Sequence, residues 1–237
     1  MESLKGKTAV VTGGTRGIGR AIAERLLREG ASVAICGRTP DSTSRAVAAM
    51  QPLGRVFGHA ADVTRIEDVR EFFRGVDREF SHLDILVNNA GRGVFRKVGE
   101  MTPEEWHSNI DLNLNGAFYC AHEALARFRT AGGFIVNISS LAAKNAFSGA
   151  AAYNASKAGL NLFSEAMMLD YRHDKVRVCS IMPGSVATEF AGERASTGDA
   201  DWKIAPEDVA EAVVTVLRMP ARTTISCLEM RPSRPQK

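Results

Sequence analysis

An open α/β fold, a parallel sheet covered on both faces by helices, is the class this sequence predicts. Three observations predict it. Short Val- and Ile-rich runs alternate with stretches of helical periodicity along the chain. The runs are continuously apolar rather than alternating, as strands buried on both faces are. A glycine-rich segment, Thr12–Gly19, joins the first run to the first helical stretch.

The elements follow in order. Residues 8–11 form the first strand. The first helix carries Ile18, Ile22, Leu26 and Leu27 on one side and stops at Gly30. Strand 32–36, helix 41–51, strand 55–60 and helix 66–80 come next, the last with Val69, Phe72, Phe73, Val76 and Phe80 at helical spacing. Strand 84–87 is the fourth. Thr102-Pro103-Glu104-Glu105 reads as a helix start, with a capping Thr, Pro at the first position and an acid at the third. One or two helices fill 103–131. Strand 133–138, a long helix over 150–173, strand 176–182, helix 206–218 and strand 224–230 complete the pattern. The Gly/Ala-rich segment 190–203 reads as a long loop of the kind that covers active sites.

The chain has 237 residues, 45% of them hydrophobic, enough apolar surface for a folded core. Thirty basic and 27 acidic residues leave a net charge of +3. That excess lies in a basic, Pro-rich tail over 231–237, which holds Arg231, Arg234 and Lys237 and no acid. Residues 1–230, the expected single domain, are therefore neutral. A neutral body argues against nucleic acid as a partner, since that requires a concentrated basic face. No apolar stretch approaches the ~18 residues of a membrane span. The first residues run into a strand without a signal peptide, so a cytoplasmic location is expected. Cys36, Cys120, Cys179 and Cys227 have no CxxC spacing and are expected to be buried free thiols. The five histidines form no metal motif, and no metal is expected.

The glycine segment suits phosphate. Gly13, Gly17 and Gly19 allow a tight turn and close approach of a pyrophosphate, with Thr15, Arg16 and Ile18 beside it. The following helix N-terminus offers unpaired N–H groups. At the first strand–helix turn of such a sheet this makes a dinucleotide site of Rossmann type. The second strand ends in Gly37-Arg38, with no acid before Asp41. An acid there would bind a ribose 2′-hydroxyl; Arg38, with Arg16 opposite, suits a 2′-phosphate. NADP(H) is the expected cofactor.

With these residues in view, the sequence resembles the short-chain dehydrogenase/reductase family over residues 5–220. Thr12-Gly13-x-x-x-Gly17-x-Gly19, Asn88-Asn89-Ala90-Gly91, Asn113 within Asp111–Gly116, Ser140, Tyr153-Asn154-Ala155-Ser156-Lys157 and Pro183-Gly184 with Thr188 match its motifs in order. The resemblance implies hydride transfer between a nicotinamide cofactor and a carbonyl or alcohol. It implies Tyr153 as general acid/base, Ser140 holding the substrate oxygen, and Lys157 on the nicotinamide ribose. Asn113 would anchor a water that links Lys157 to solvent. Ser139 and Asn115 are the neighbours that compete with Ser140 and Asn113. By position, Asp62 and Val63 would contact adenine, although Asp62 also suits a turn. Asn88, Ala90 and Gly91 would line the adenosine-ribose side, and Pro183, Gly184, Val186 and Thr188 the nicotinamide. Tyr153 and Lys157, four apart, share a helix face, where an ammonium is expected to lower the phenol pKa. The family also implies a homodimer or homotetramer, through the helices at 103–131 and 150–173.

The chain departs from the 3-oxoacyl-[acyl-carrier-protein] reductases in its ending. Those finish in an Asp-Gly-Gly turn, whereas here Glu229–Pro235 brings two prolines that bar further sheet pairing. The expected substrate is a small carbonyl or alcohol compound, with a 3-oxoacyl thioester as the alternative and a non-catalytic dinucleotide sensor as a distant one. Selectivity is expected from 92–98, 141–150 and 186–203, where Leu141, Ala142, Phe147, Val186 and Phe190 give a partly apolar pocket.

Overall fold

The computed structural model describes residues 1–128, 132–188 and 202–235. Seven strands form one parallel sheet: β1 (Thr8–Thr12), β2 (Ser32–Gly37), β3 (Val56–Ala60), β4 (Ile85–Asn88), β5 (Gly133–Ile138), β6 (Val176–Pro183) and β7 (Cys227–Met230). Their order is β3-β2-β1-β4-β5-β6-β7. The order reverses between β1 and β4, and ligands of such sheets bind at the strand C-termini beside that reversal. The helices are α1 (Gly17–Arg28), α2 (Pro40–Met50), α3 (Ile66–Glu79), α4 (Pro103–Ile110), α5 (Gly116–Leu125), α6 (Ala151–Tyr171) and α7 (Pro206–Leu217). The expected fold class and single domain are both observed.

Register explains the two cores. Val11 lies level with Ile35 and Val87, and Val87 with Val136. These residues face Ile22, Leu26 and Val213 in one apolar cluster. One residue earlier in β1, Val10 points to the other face. There it joins Leu86, Ile135 and Val178 in a cluster with Phe72, Phe73, Cys120 and Met167. Among the described residues no helix is long and apolar enough to cross a membrane.

Two elements differ from expectation. The stretch 103–131 holds two helices joined by a π-helical turn, Asp111–Asn115, and its last residues, 129–131, lie outside the described residues. The wider turn swings Asn113 inward, where it is buried. The last strand starts at Cys227, not Thr224. Arg177 donates to the Met219 carbonyl, and the chain first meets β6 where Ser180 N–H donates to the Ser226 carbonyl. Cys227 is therefore exposed on an edge strand, while the other three cysteines are buried. Of the expected loop 190–203, residues 190–201 lie outside the described residues. The helix start at Thr102 is a full capping box: Glu105 N–H donates to Thr102 Oγ1, and Thr102 N–H donates to the Glu105 carboxylate.

Candidate active site

The central strands deliver the site. β1 ends in Thr12, and the chain turns through Gly13 and Gly17, both with left-handed φ (+64° and +54°), before α1 begins. A side chain at Gly19 would run into the Gly13 carbonyl, so only glycine lets the helix start this close to the turn. Asn89 locks the turn from β4: its Nδ2 donates to the carbonyls of Thr12 (2.9 Å) and Gly13 (3.3 Å). The N–H groups of Asn89 and Ala90 donate to Thr12 Oγ1 at 3.0 Å. Thr12 and Asn89 thus tie the two nucleotide motifs together. Both stand in the recognised motifs, yet neither had been singled out as a site residue.

The other expected contact residues are placed as follows. Asn88 turns inward, donating to Asn137 Oδ1 (2.9 Å) and the Ala117 carbonyl, so its side chain braces the sheet. Asp62 accepts from the Thr64 N–H (3.0 Å) and hydroxyl (2.8 Å), which is the turn role. Val63 is buried beside Gly116. Arg38 and Arg16 are exposed at the ends of β2 and the glycine turn, and Ile18 packs on the α1 core. A Cβ on Gly37 would come within 2.5 Å of Thr15 Cγ2, so Thr15 covers the end of β2. On the nicotinamide side, Pro183 ends β6, and Gly184 N–H donates to the Met230 carbonyl at 2.8 Å. Val186 bridges to Ile204. Thr188 reaches back to Gly17, where a Cβ would stand 3.4 Å from its methyl. Phe190 lies outside the described residues.

α6 carries Tyr153 and Lys157 on one face, both buried. Tyr153 is hydrogen-bonded to Ser140, which caps the short turn after β5. Lys157 Nζ lies 5.9 Å from the Tyr153 ring centroid and donates to the Ile138 carbonyl at 2.9 Å. The competing neighbours separate cleanly. Ser139 is buried and donates to the Lys157 carbonyl, so Ser140 is the serine at the tyrosine. Asn115 donates to Asp111, whereas Asn113 reaches the site. Asn113 Nδ2 donates to the Arg92 carbonyl (2.9 Å) and Ser156 Oγ (3.0 Å), and its Oδ1 accepts from Arg92 N–H (2.9 Å). Ser156, inside the tyrosine motif, is a further site residue that the sequence left unassigned. A Cβ on Gly91 would stand 3.0 Å from Asn113 Oδ1 and 3.6 Å from Lys157 Nζ, so Gly91 keeps open the space between them.

One electrostatic expectation fails. Burial raises the Tyr153 pKa, with the Ser140 hydrogen bond only partly opposing it. The buried Lys157 ammonium suffers the same desolvation, which lowers its pKa to about 8. Lys157 Nζ is held on the Ile138 carbonyl, 2.9 Å away.

The residues fit a dinucleotide. Gly13 and Gly17 take left-handed φ, no side chain fits at Gly19, and a helix N-terminus closes the turn. A family model for short chain dehydrogenase matches residues 7–199. An uncharacterized oxidoreductase of Staphylococcus saprophyticus is 32% identical, over 98% of this chain and all of its own. Among solved structures, an alcohol dehydrogenase from the archaeon Thermococcus sibiricus, complexed with 5-hydroxy-NADP, superposes with a TM-score of 0.91. It is 30% identical, over 98% of this chain and 100% of that one. A 7α-hydroxysteroid dehydrogenase complexed with NADH and 7-oxo glycochenodeoxycholic acid also scores 0.91, at 26% identity, over 99% and 96% of the two chains. This chain belongs to the short-chain dehydrogenase family of oxidoreductases, whose members bind a nicotinamide dinucleotide.

Proposed function

We infer that the protein is an NADP(H)-dependent reductase that interconverts a carbonyl and a secondary alcohol. The hydrogen-bonded Ser140–Tyr153 pair, with Lys157 beside it on α6, carries the reading. The glycine turn would hold the pyrophosphate and Arg16 and Arg38 the 2′-phosphate, with Lys157 at the nicotinamide ribose. When bound, the dinucleotide supplies or accepts the hydride. In reduction, Tyr153 Oη gives its proton to the substrate oxygen while Ser140 Oγ holds that oxygen. Lys157, charged below about pH 8, keeps a positive charge beside the reprotonation path.

Tyr153→Phe tests it. The variant should bind NADPH as the parent does, and turnover should fall by roughly 10²–10⁴-fold, the loss of one proton-transfer group. Retained turnover excludes the tyrosine as the acid. Cofactor choice has a separate test. Arg38→Asp should weaken NADPH binding and strengthen NADH binding, each read by fluorescence titration; an unmoved preference removes Arg38 from the 2′-phosphate.

The reading includes a homodimer or homotetramer. α5 and α6 present Phe118 (48% exposed), Leu162 (69%) and Leu169 (49%) outward, an apolar face that a second copy would cover. Sedimentation of the parent against Leu162→Glu checks it.

A further inference from the structure

The tyrosine has an aromatic neighbour that neither the cofactor nor proton transfer requires. Phe95 stands edge-on to the Tyr153 ring, with centroids 5.6 Å apart and planes at 78°. Phe147, from the loop after Ser140, stands 5.7 Å from Phe95. The three rings form a continuous row that ends at Tyr153. Tyr153 is buried, while Phe95 is 40% and Phe147 51% exposed. Two large aromatic rings left open beside a catalytic group mark a surface that something apolar covers.

The row is built, not draped. The Phe95 ring lies against Gly93, where a Cβ would come 2.5 Å from its Cζ. Its loop is fixed on every side. Val94 N–H donates to Asn109 Oδ1 (3.1 Å), Arg96 N–H to the Gly149 carbonyl (2.7 Å), and Arg96 pairs with Glu105 at the capped start of α4. The Arg96–Gly149 bond joins the Phe95 loop directly to the Phe147 loop. The two rings therefore have a set separation before any substrate arrives, which lowers the cost of binding.

We propose that Phe95 and Phe147 form the specificity wall for a ketone whose carbonyl carbon bears a flat aromatic ring. That ring would pack against the exposed faces of the two phenylalanines while the carbonyl oxygen meets Tyr153 and Ser140. The proposal rests on the reductase reading above and extends it to a substrate class.

The test compares acetophenone with 2-butanone, using NADPH and the intact protein. Wild type should favour acetophenone in kcat/KM by about tenfold or more, and Phe95→Ala and Phe147→Ala should each cut that ratio several-fold. Phe95→Tyr, which keeps the ring, should preserve it. Unaltered NADPH affinity verifies that each variant is folded. A second arm needs no turnover: 1-phenylethanol is titrated calorimetrically into the Tyr153→Phe protein loaded with NADP+, with and without Phe95→Ala. Phe95-dependent binding there upholds the wall even if neither ketone is reduced, an outcome that would defeat the reductase reading alone. A substrate ratio and an alcohol affinity that both ignore Phe95 and Phe147 would overturn the wall and leave the reductase reading standing.

Discussion

Two loops leave the C-terminal ends of the neighbouring central strands β1 and β4, and they are held in opposite ways. The turn from Thr12 to Gly19 is shaped by its own backbone, left-handed glycines and a helix start with no room for a side chain, with Asn89 tying it to β4. The loop from Gly91 to Arg96 is fixed from a distance. Asn113 grips Arg92 on both its N–H and its carbonyl, Asn109 holds Val94, and Gly149 anchors Arg96. A binding site for an invariant cofactor needs only geometry. A substrate rim must be able to change with its substrate, and side-chain anchors on other elements allow that without moving the sheet. The difference gives each loop its own way to fail.

The largest failure is expected in the glycine turn. Gly19→Val forces a branched side chain against the Gly13 carbonyl, and backbone cannot yield. The cost should be about 3 kcal/mol, the upper part of the range for overpacking, with NADPH binding lost as well. Urea unfolding together with a cofactor titration checks both. A stable, cofactor-binding variant would mean that the turn shifts freely and is not fixed by its own backbone.

The rim should break more softly. Asn113→Ala removes the anchor of Arg92 and leaves the Arg92 N–H and carbonyl and Ser156 without it. Water can replace part of this, so a loss of about 2 kcal/mol is expected, near the cost of leaving buried polar groups unpaired. Hydrogen exchange should rise at Arg92 and Val94 and stay unchanged at Gly13–Gly19. Exchange rising in both loops would show them to be one unit.

The same contrast decides what the sequence disclosed. The alternation of strands and helices, the glycine turn and the Tyr153/Lys157 pair were legible because each is written in adjacent residues or at one helical spacing, and Ser140 through the family resemblance. What stayed hidden depends on distant partners. The π-helical turn at 111–115 does not show in apolar periodicity; it follows from Asn113 reaching Arg92 and Ser156. Asn88 sits inside a nucleotide motif, yet its amide serves Asn137 on the next strand. Ser139 and Ser140 differ by one residue, and the extended chain just after β5 sends the first inward and the second toward Tyr153. The Tyr153 pKa was misjudged because spacing reveals a neighbouring charge but not the burial of both groups. Phe95 lay unremarked within the selectivity segment 92–98; its edge-on contact with Tyr153 required the fold.

Lys157 lies beneath Gly91 at the start of the second loop, and its burial gives the smallest of the three effects. Its folded pKa of about 8 lies below the ordinary 10.5. Between those values the unfolded chain binds more protons than the folded one, so this lysine makes stability rise with pH across that window. Below about pH 8 both states are charged and the contribution is flat. Relative to Lys157→Met, which cannot titrate, the wild-type protein should gain about 1 kcal/mol between pH 8 and 9. Taking the difference between the two proteins cancels the buried thiols, which titrate in both. Stability curves from urea unfolding at pH 7, 8 and 9 check the sign. A difference that stays level through pH 9 would place Lys157 in contact with water, and its place under Gly91 would then be wet rather than dry.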